Sequence, residues 1–203
     1  MLTIRRWVRI IPAGAVVDGV PVRLEPSEDP LLVALYRQRV GGYPKFFKMD
    51  PLCRAGFIAS ELLLAGEPSR FEPREDRAVV LFTPSGSFAS DSHYAQTIAD
   101  AAEYYPSPAV FVYTLANILT GEIAIRNKYY GETSCYLLRR DETATLAATL
   151  RETFLDAGTH EALCGWVDSR DAAHFEAVLF LVGEAPDGLE WSEENICRIM
   201  NDK

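Results

Sequence analysis

The segment Asp50-Pro-Leu-Cys-Arg-Ala-Gly-Phe-Ile-Ala-Ser-Glu-Leu-Leu-Leu-Ala65 constrains the fold more than any other. Asp50 is a good N-cap, Pro51 suits the first helical position, and Gly66 supplies a stop, so the spacing predicts one helix. Its apolar residues cover most of the circumference rather than one stripe. A helix of that kind cannot lie on a surface and must be covered on several sides. The chain therefore needs a sheet beside it and further elements outside it. At 203 residues and 48% hydrophobic, it is long enough to bury such a core as one domain over residues 1–203.

The flanking pattern supplies the sheet. Ala78-Val-Val-Leu-Phe-Thr83 is a continuous apolar run, as expected of a strand covered on both faces. Ser85-Gly-Ser-Phe follows, and Ser90 or Asp91 can cap a helix reaching about Tyr105, which makes a βα unit. Pro106 and Pro108 break the chain before a periodic helix from Tyr113 to Tyr129 that ends at Gly131. Thr133 to Leu138 reads as a strand, and Asp141 as the cap of a helix from Glu142 to Asp156, closed by Gly158. Glu161 to Asp168 and Glu176 to Val182 read as an antiparallel strand pair. Towards the N-terminus, Thr3 to Ile11 and Val20 to Glu25 could pair as a hairpin, followed by a short helix from Leu31 to Val40. Ser192 caps a last helix to Met200. The expected class is α/β, a mixed sheet, mainly parallel with an antiparallel edge, flanked by helices.

Charge and cysteine usage exclude several functions. Twenty basic against 29 acidic residues leave a net charge of -9, which argues against a nucleic-acid partner. No apolar run approaches the roughly 20 residues of a membrane span, and Met1 to Arg9 carries three arginines with no apolar segment after them, so a cytoplasmic protein is expected. Cys53, Cys135, Cys164 and Cys197 are far apart, with no histidine at ligand spacing, so neither a metal site nor any cofactor is expected.

Three successive motifs carry a resemblance. Lys48-Met-Asp-Pro with its helix, Thr83-Pro-Ser-Gly-Ser-Phe, and Leu115-Ala-Asn-Ile-Leu-Thr-Gly-Glu-Ile-Ala-Ile125 with Gly131-Glu132 are together similar to the N-terminal half of β-ketoacyl synthases of the thiolase-like fold. Gly158 and Leu163-Cys-Gly-Trp-Val-Asp168 extend the likeness, which covers roughly residues 44–182. The resemblance implies a nucleophilic cysteine nine residues after Gly131, at the turn from strand to helix. That position holds Arg140, and its neighbours Arg139 and Asp141 are no better. A guanidinium stays protonated and cannot attack a thioester, so the chain is expected to be no enzyme by itself. Cys135 lies five residues too early, inside the strand, and is a weak substitute. The C-terminal half that brings the family's catalytic histidines is also expected to be missing. His93, His160 and His174 suit surface roles.

Relatives without the nucleophile serve as chain length factors. By that resemblance the chain is expected to pair with an active ketosynthase as a heterodimer, or with itself, in fatty-acid-like or polyene biosynthesis, with acyl carrier protein as a further candidate partner. The expected contact is an exposed edge strand, Thr133 to Leu138, with the segment Tyr113 to Tyr130. Phe111, Tyr113, Leu115, Ile118 and Leu119, with Cys135, Tyr136 and Leu138, would line the dimer interface or an acyl pocket. The same aromatics also fit an ordinary core. Arg139 and Arg140 could meet a partner carboxylate or form a solvated turn. Two alternatives stay open. One is an auxiliary protein of the same fold that binds an acyl chain or its carrier. The other is a divergent acyltransferase using Ser85, Ser87 or Ser134 with His93, in which Asp91 would orient the base, although no G-x-S-x-G elbow is present.

Overall fold

A computed structural model describes residues 1–102, 104–171 and 173–201. β1 (Leu2–Ile11), β2 (Gly14–Val17) and β3 (Val20–Pro21) open the chain. After α1 (Leu31–Leu35) and a π-helical turn over Tyr36–Val40 come α2 (Pro51–Leu63), β4 (Arg77–Thr83), α3 (Phe88–Thr97), α4 (Pro108–Val112) and α5 (Ile118–Asn127). β5 (Thr133–Leu137), α6 (Thr143–Thr153), β6 (Glu161–Ser169), β7 (Phe175–Glu184), β8 (Leu189–Glu190) and α7 (Glu193–Asn201) complete it. The strands form one sheet in the order β3-β2-β1-β7-β6-β4-β5, and β8 adds to β1.

The sheet is mixed and flanked by helices, as expected, but its balance is different. Only β4 with β5 and β4 with β6 are parallel. β6 with β7, β1 with β7, β1 with β2, β2 with β3 and β1 with β8 are antiparallel. The expectation of a mainly parallel sheet missed that β1 inserts against β7, a pairing between residues about as far apart as the chain allows. The expected first hairpin is also redrawn. β1 turns directly into β2, and only Val20 and Pro21 of the 20–25 segment continue the sheet.

Alternation on the central strands builds two cores, one on each face. Val79 and Leu81, Leu163 and Val167, and Ala177, Leu179 and Leu181 face α1, α2 and α5. Ala78, Val80 and Phe82, Cys164 and Trp166, and Val178 and Phe180 face α6 and α7. As its apolar circumference requires, α2 is buried at every position but Pro51 and Arg54. Asp50 caps it, accepting from the Cys53 amide at 2.8 Å. Gly56 lets α5 approach, since a Cβ there would lie 2.6 Å from Leu119 Cδ1.

Three helix boundaries differ from expectation. α3 starts at Phe88 and stops at Thr97, and neither Ser90 nor Asp91 caps it, because the Ser90 hydroxyl donates to Asp50 at 2.7 Å. The periodic segment 113–129 splits: Pro108 opens the short α4, capped by Ser107, and α5 begins only at Ile118 and ends at Lys128 in a left-handed conformation, not at Gly131. Asp141 does not cap α6, which begins at Thr143; its carboxylate pairs with Arg139 instead.

The charged loop after α2 is pinned at the end of the sheet where β4 and β6 begin. Arg77, fully buried, donates to Glu161 and Glu67 and bonds the Tyr129 hydroxyl at 2.5 Å. Arg74 holds both Asp76 oxygens, at 2.9 and 2.7 Å. Burial works to raise the Glu67 pKa, and Arg77, Arg74 and Arg70 more than offset it, so the carboxyl titrates below its ordinary range.

Candidate functional site

β5 ends the sheet. Its inner side pairs in register with β4, Val79 to Thr83 against Thr133 to Leu137, and among the described residues no strand pairs with its outer side. The strand therefore presents unpaired backbone groups. Its side chains are half open: Tyr136 is 42% and Leu137 73% exposed. The Tyr136 ring stacks on Phe82 at 5.5 Å, which ties the exposed strand to the core. Leu138 packs at the rim of the core under α6 and α7.

Apolar surface continues from this edge onto the loop and helix before α5. Phe111 (51%) and Leu115 (52%) are exposed, as are Phe88 and Val112. Tyr94 and Phe111 lie 5.3 Å apart, the Ser87 hydroxyl donates to the Thr114 carbonyl at 2.6 Å, and a Cβ on Gly86 would reach Leu137 and Ala116. These contacts join α3, α4 and the end of β5 into one patch. Other expected surface residues point inward. Leu119 is 2% exposed and belongs to the core against Gly56; Ile118 and Tyr113 are partly buried beside it. The Tyr113 hydroxyl bonds Glu122 at 3.3 Å, and burial with the nearby Glu122 charge pushes its pKa up strongly. Leu137 lies within the expected edge strand but was not singled out among its lining residues; its place next to Tyr136 was the available signal.

Arg140 stands in the turn between β5 and α6, where the resemblance places the nucleophile. Its guanidinium takes both oxygens of Glu176, Nε at 2.8 Å and Nη2 at 3.0 Å. It also donates to the Met200 carbonyl at 2.5 Å and to Asn201 Oδ1 at 3.0 Å, in the last turn of α7. The Trp166 ring centroid lies 5.9 Å from it. The pair with Glu176 raises its pKa further. Arg140 is thus engaged within its own chain, not held in a solvated turn or free for a partner carboxylate. Arg139 is the exposed one, beside Asp141 and Glu142. Glu176 was missed as a site residue because it lies on β7, far along the chain.

A cleft of about 660 Å³ opens beside Arg140, with Trp166, Asp168, His174 and Glu176 in its walls. His174 is exposed and its ring is 2.8 Å from Asp171. Cys135 is half-buried in β5, and burial pushes its thiol pKa up, which disfavours the thiolate a nucleophile needs. The serine alternative finds no base. Ser85 bonds Asp168, Ser87 is held by Thr114 and Asp91, Ser134 donates to Glu132, and among the described residues none of them bonds a histidine ring. His93 and His160 are exposed. Among the described residues no cluster of histidine, cysteine and carboxylates could hold a metal ion, and no helix is long and apolar enough to cross a membrane.

No protein-family model and no curated protein matches the sequence. Solved structures match by shape. "The ishigamide ketosynthase/chain length factor" superposes with a TM-score of 0.68 at 20% identity, over 91% of this chain and 62% of that one. The ketosynthase ApeO in complex with its chain length factor ApeC, from Xenorhabdus doucetiae, gives a TM-score of 0.60 at 16% identity over 91% of this chain and 79% of that chain. A β-ketoacyl synthase from Burkholderia phymatum gives 0.61 at 12% identity, over 91% and 59%. The chain spans about three fifths of the first and third of these, and at such identities the likeness is one of fold. With its edge strand, its turn at Arg140 and its paired cores, the chain has the thiolase-like fold of the ketosynthases and chain length factors.

Proposed function

We propose that this chain is a chain-length-factor-like subunit, silent by itself, that pairs with an active ketosynthase through β5 and the apolar patch around Phe111, Leu115, Tyr136 and Leu137. The observation that carries this reading is the juxtaposition of an unpaired strand edge with contiguous exposed apolar side chains. A lone soluble domain avoids both, because each invites association. A partner strand added to β5 would satisfy the open backbone groups while its neighbours covered Phe111 and Leu115. The likeness to ketosynthase and chain length factor complexes supports a ketosynthase as that partner.

Silence rests on Arg140. A side chain that is permanently charged and bound by Glu176 and the end of α7 offers no lone pair to attack an acyl thioester. The work left to the chain is then to stabilise the partner and shape the far end of its acyl tunnel, in fatty-acid-like or polyene biosynthesis, with carrier protein delivering the substrate to the complex. Co-expression with candidate ketosynthases, followed by size-exclusion chromatography and a malonyl condensation assay on the complex and on each chain, tests this. The expected result is a stable heterodimer with activity only in the complex. Condensation by this chain alone, or failure to co-elute with any of the candidate ketosynthases, would overturn the reading.

A further inference from the structure

The excursion that carries α3 and α4 between β4 and β5 builds no core of its own. From Phe88 to Asn117, Ser90 alone is buried among the described residues, whereas α2 is buried at all but two positions and α6 buries Leu146, Ala147 and Leu150. The two helices, of 10 and 5 residues, meet through the Tyr94 and Phe111 rings at 5.3 Å, and the Tyr105 amide donates to the Thr97 carbonyl at 3.1 Å. Helices this short are marginal in water without tertiary packing. Their large apolar side chains nevertheless face outward: Phe88 is 64% and Tyr105 77% exposed, and Ile98, Tyr104 and Val112 are exposed with them. The excursion adjoins the open strand edge. At its base the Ser87 hydroxyl donates to the Thr114 carbonyl, and a Cβ on Gly86 would reach both Leu137 of β5 and Ala116. Its formal charge has one sign. From Phe88 to Asn117 the sequence holds no lysine or arginine, while Asp91 and Asp100 are exposed. In a chain of net charge -9 this argues against a second copy as the occupant and against an anionic membrane, since each would set negative charge against negative.

We propose that α3 and α4 form an arm that takes its packing from a protein partner, closing over a surface that is apolar at its centre and rimmed by lysine and arginine. The proposal rests on the ketosynthase-partner reading and names the chemistry of the face that partner presents. Strand addition at β5 satisfies backbone groups, and the arm adds apolar burial beside it. A segment that gains its packing on binding orders as it binds, so its backbone amides become protected only in the complex.

Hydrogen-exchange mass spectrometry on the full chain, alone and with the ketosynthase that co-elutes with it, tests this. In the free chain the amides of α3 and α4 should exchange at least about 100-fold faster than those of α2, and in the complex they should slow at least about tenfold while those of α2 stay unchanged. Phe88→Ser combined with Tyr105→Ser alters two outward side chains, so the free chain keeps its melting temperature. The complex should weaken at least about tenfold in this variant, and the wild-type complex should weaken with added salt. Arm amides as slow as those of α2 in the free chain, protection gained from more of the chain itself or from phosphatidylglycerol vesicles, or unchanged affinity in the double variant would each overturn the proposal. A complex in which the arm still exchanges freely would overturn it too and leave strand pairing at β5 standing; if no ketosynthase co-elutes, the partner reading falls and the arm proposal falls with it.

Discussion

Arg140 and Glu176 face each other across the open end of the sheet in a two-pronged ion pair, with N–O distances of 2.8 and 3.0 Å. Glu176 also meets Arg9 at 3.3 Å, and Arg140 also caps α7, so the pair ties β1, β7, the β5–α6 turn and the C-terminal helix together. Replacing Arg140 by alanine should cost about 1–2 kcal/mol in denaturant unfolding, less than a fully buried pair because the guanidinium is over a third exposed. Amide exchange of residues 193–201 should rise at the same time. Arg140→Cys should destabilise similarly and still leave the isolated chain without condensation activity, since the adjoining cleft offers one imidazole, His174, and that one is bound to Asp171.

Leu137→Lys separates folding from association. Leu137 is 73% exposed, so the change should alter the stability of the isolated chain by no more than about 0.5 kcal/mol. It places a charge on the strand edge, a recognised means of blocking strand addition. Loss of co-elution with a ketosynthase partner, with an unchanged melting temperature, is the expected outcome.

Acid should unfold the chain through the charged cluster at the start of β4 and β6. In Glu67, burial would raise the pKa, but Arg77, Arg74 and Arg70 bring it below its ordinary 4.5; in Asp76, hydrogen bonds from Arg74 lower it below 3.8. Both folded values are depressed, so the stabilisation is fully present above the unfolded values and is lost as pH falls through the folded ones. Stability measured by urea unfolding should therefore hold from neutrality to about pH 5 and decline below about pH 4. Glu67→Gln should be less stable at neutral pH and show a shallower decline.

Two glycines should differ sharply in their tolerance of alanine. At Gly165, with φ +151°, a Cβ would sit 2.1 Å from the Val178 carbonyl oxygen and 2.8 Å from Leu179 Cα, both backbone atoms of β7. Gly165→Ala should cost about 3–5 kcal/mol or prevent soluble expression, because neither strand can move without breaking the ladder. At Gly56 the obstacle is the Leu119 side chain, which can change rotamer, so Gly56→Ala should cost only about 1–3 kcal/mol by thermal melt.

Features set by neighbours in sequence were legible without a structure. The Asp50 cap, the burial of α2, the covered strand β4, the β6–β7 pair and the absence of a thiol at position 140 all follow from local spacing and residue chemistry. What depends on distant pairing was not. The sequence of β1 does not say that it will lie against β7, which turned a mainly parallel expectation into a largely antiparallel sheet. Nor does the periodicity of 113–129 reveal that Leu119 is core while Phe111 and Leu115 are exposed, because that depends on where α2 lies. The residues alone show that a guanidinium replaces the sulfur. Only the tertiary structure decides that it is neutralised by Glu176 and the end of α7, partners 36 and 60 positions away, since a charge takes whichever counter-charge folding brings within reach.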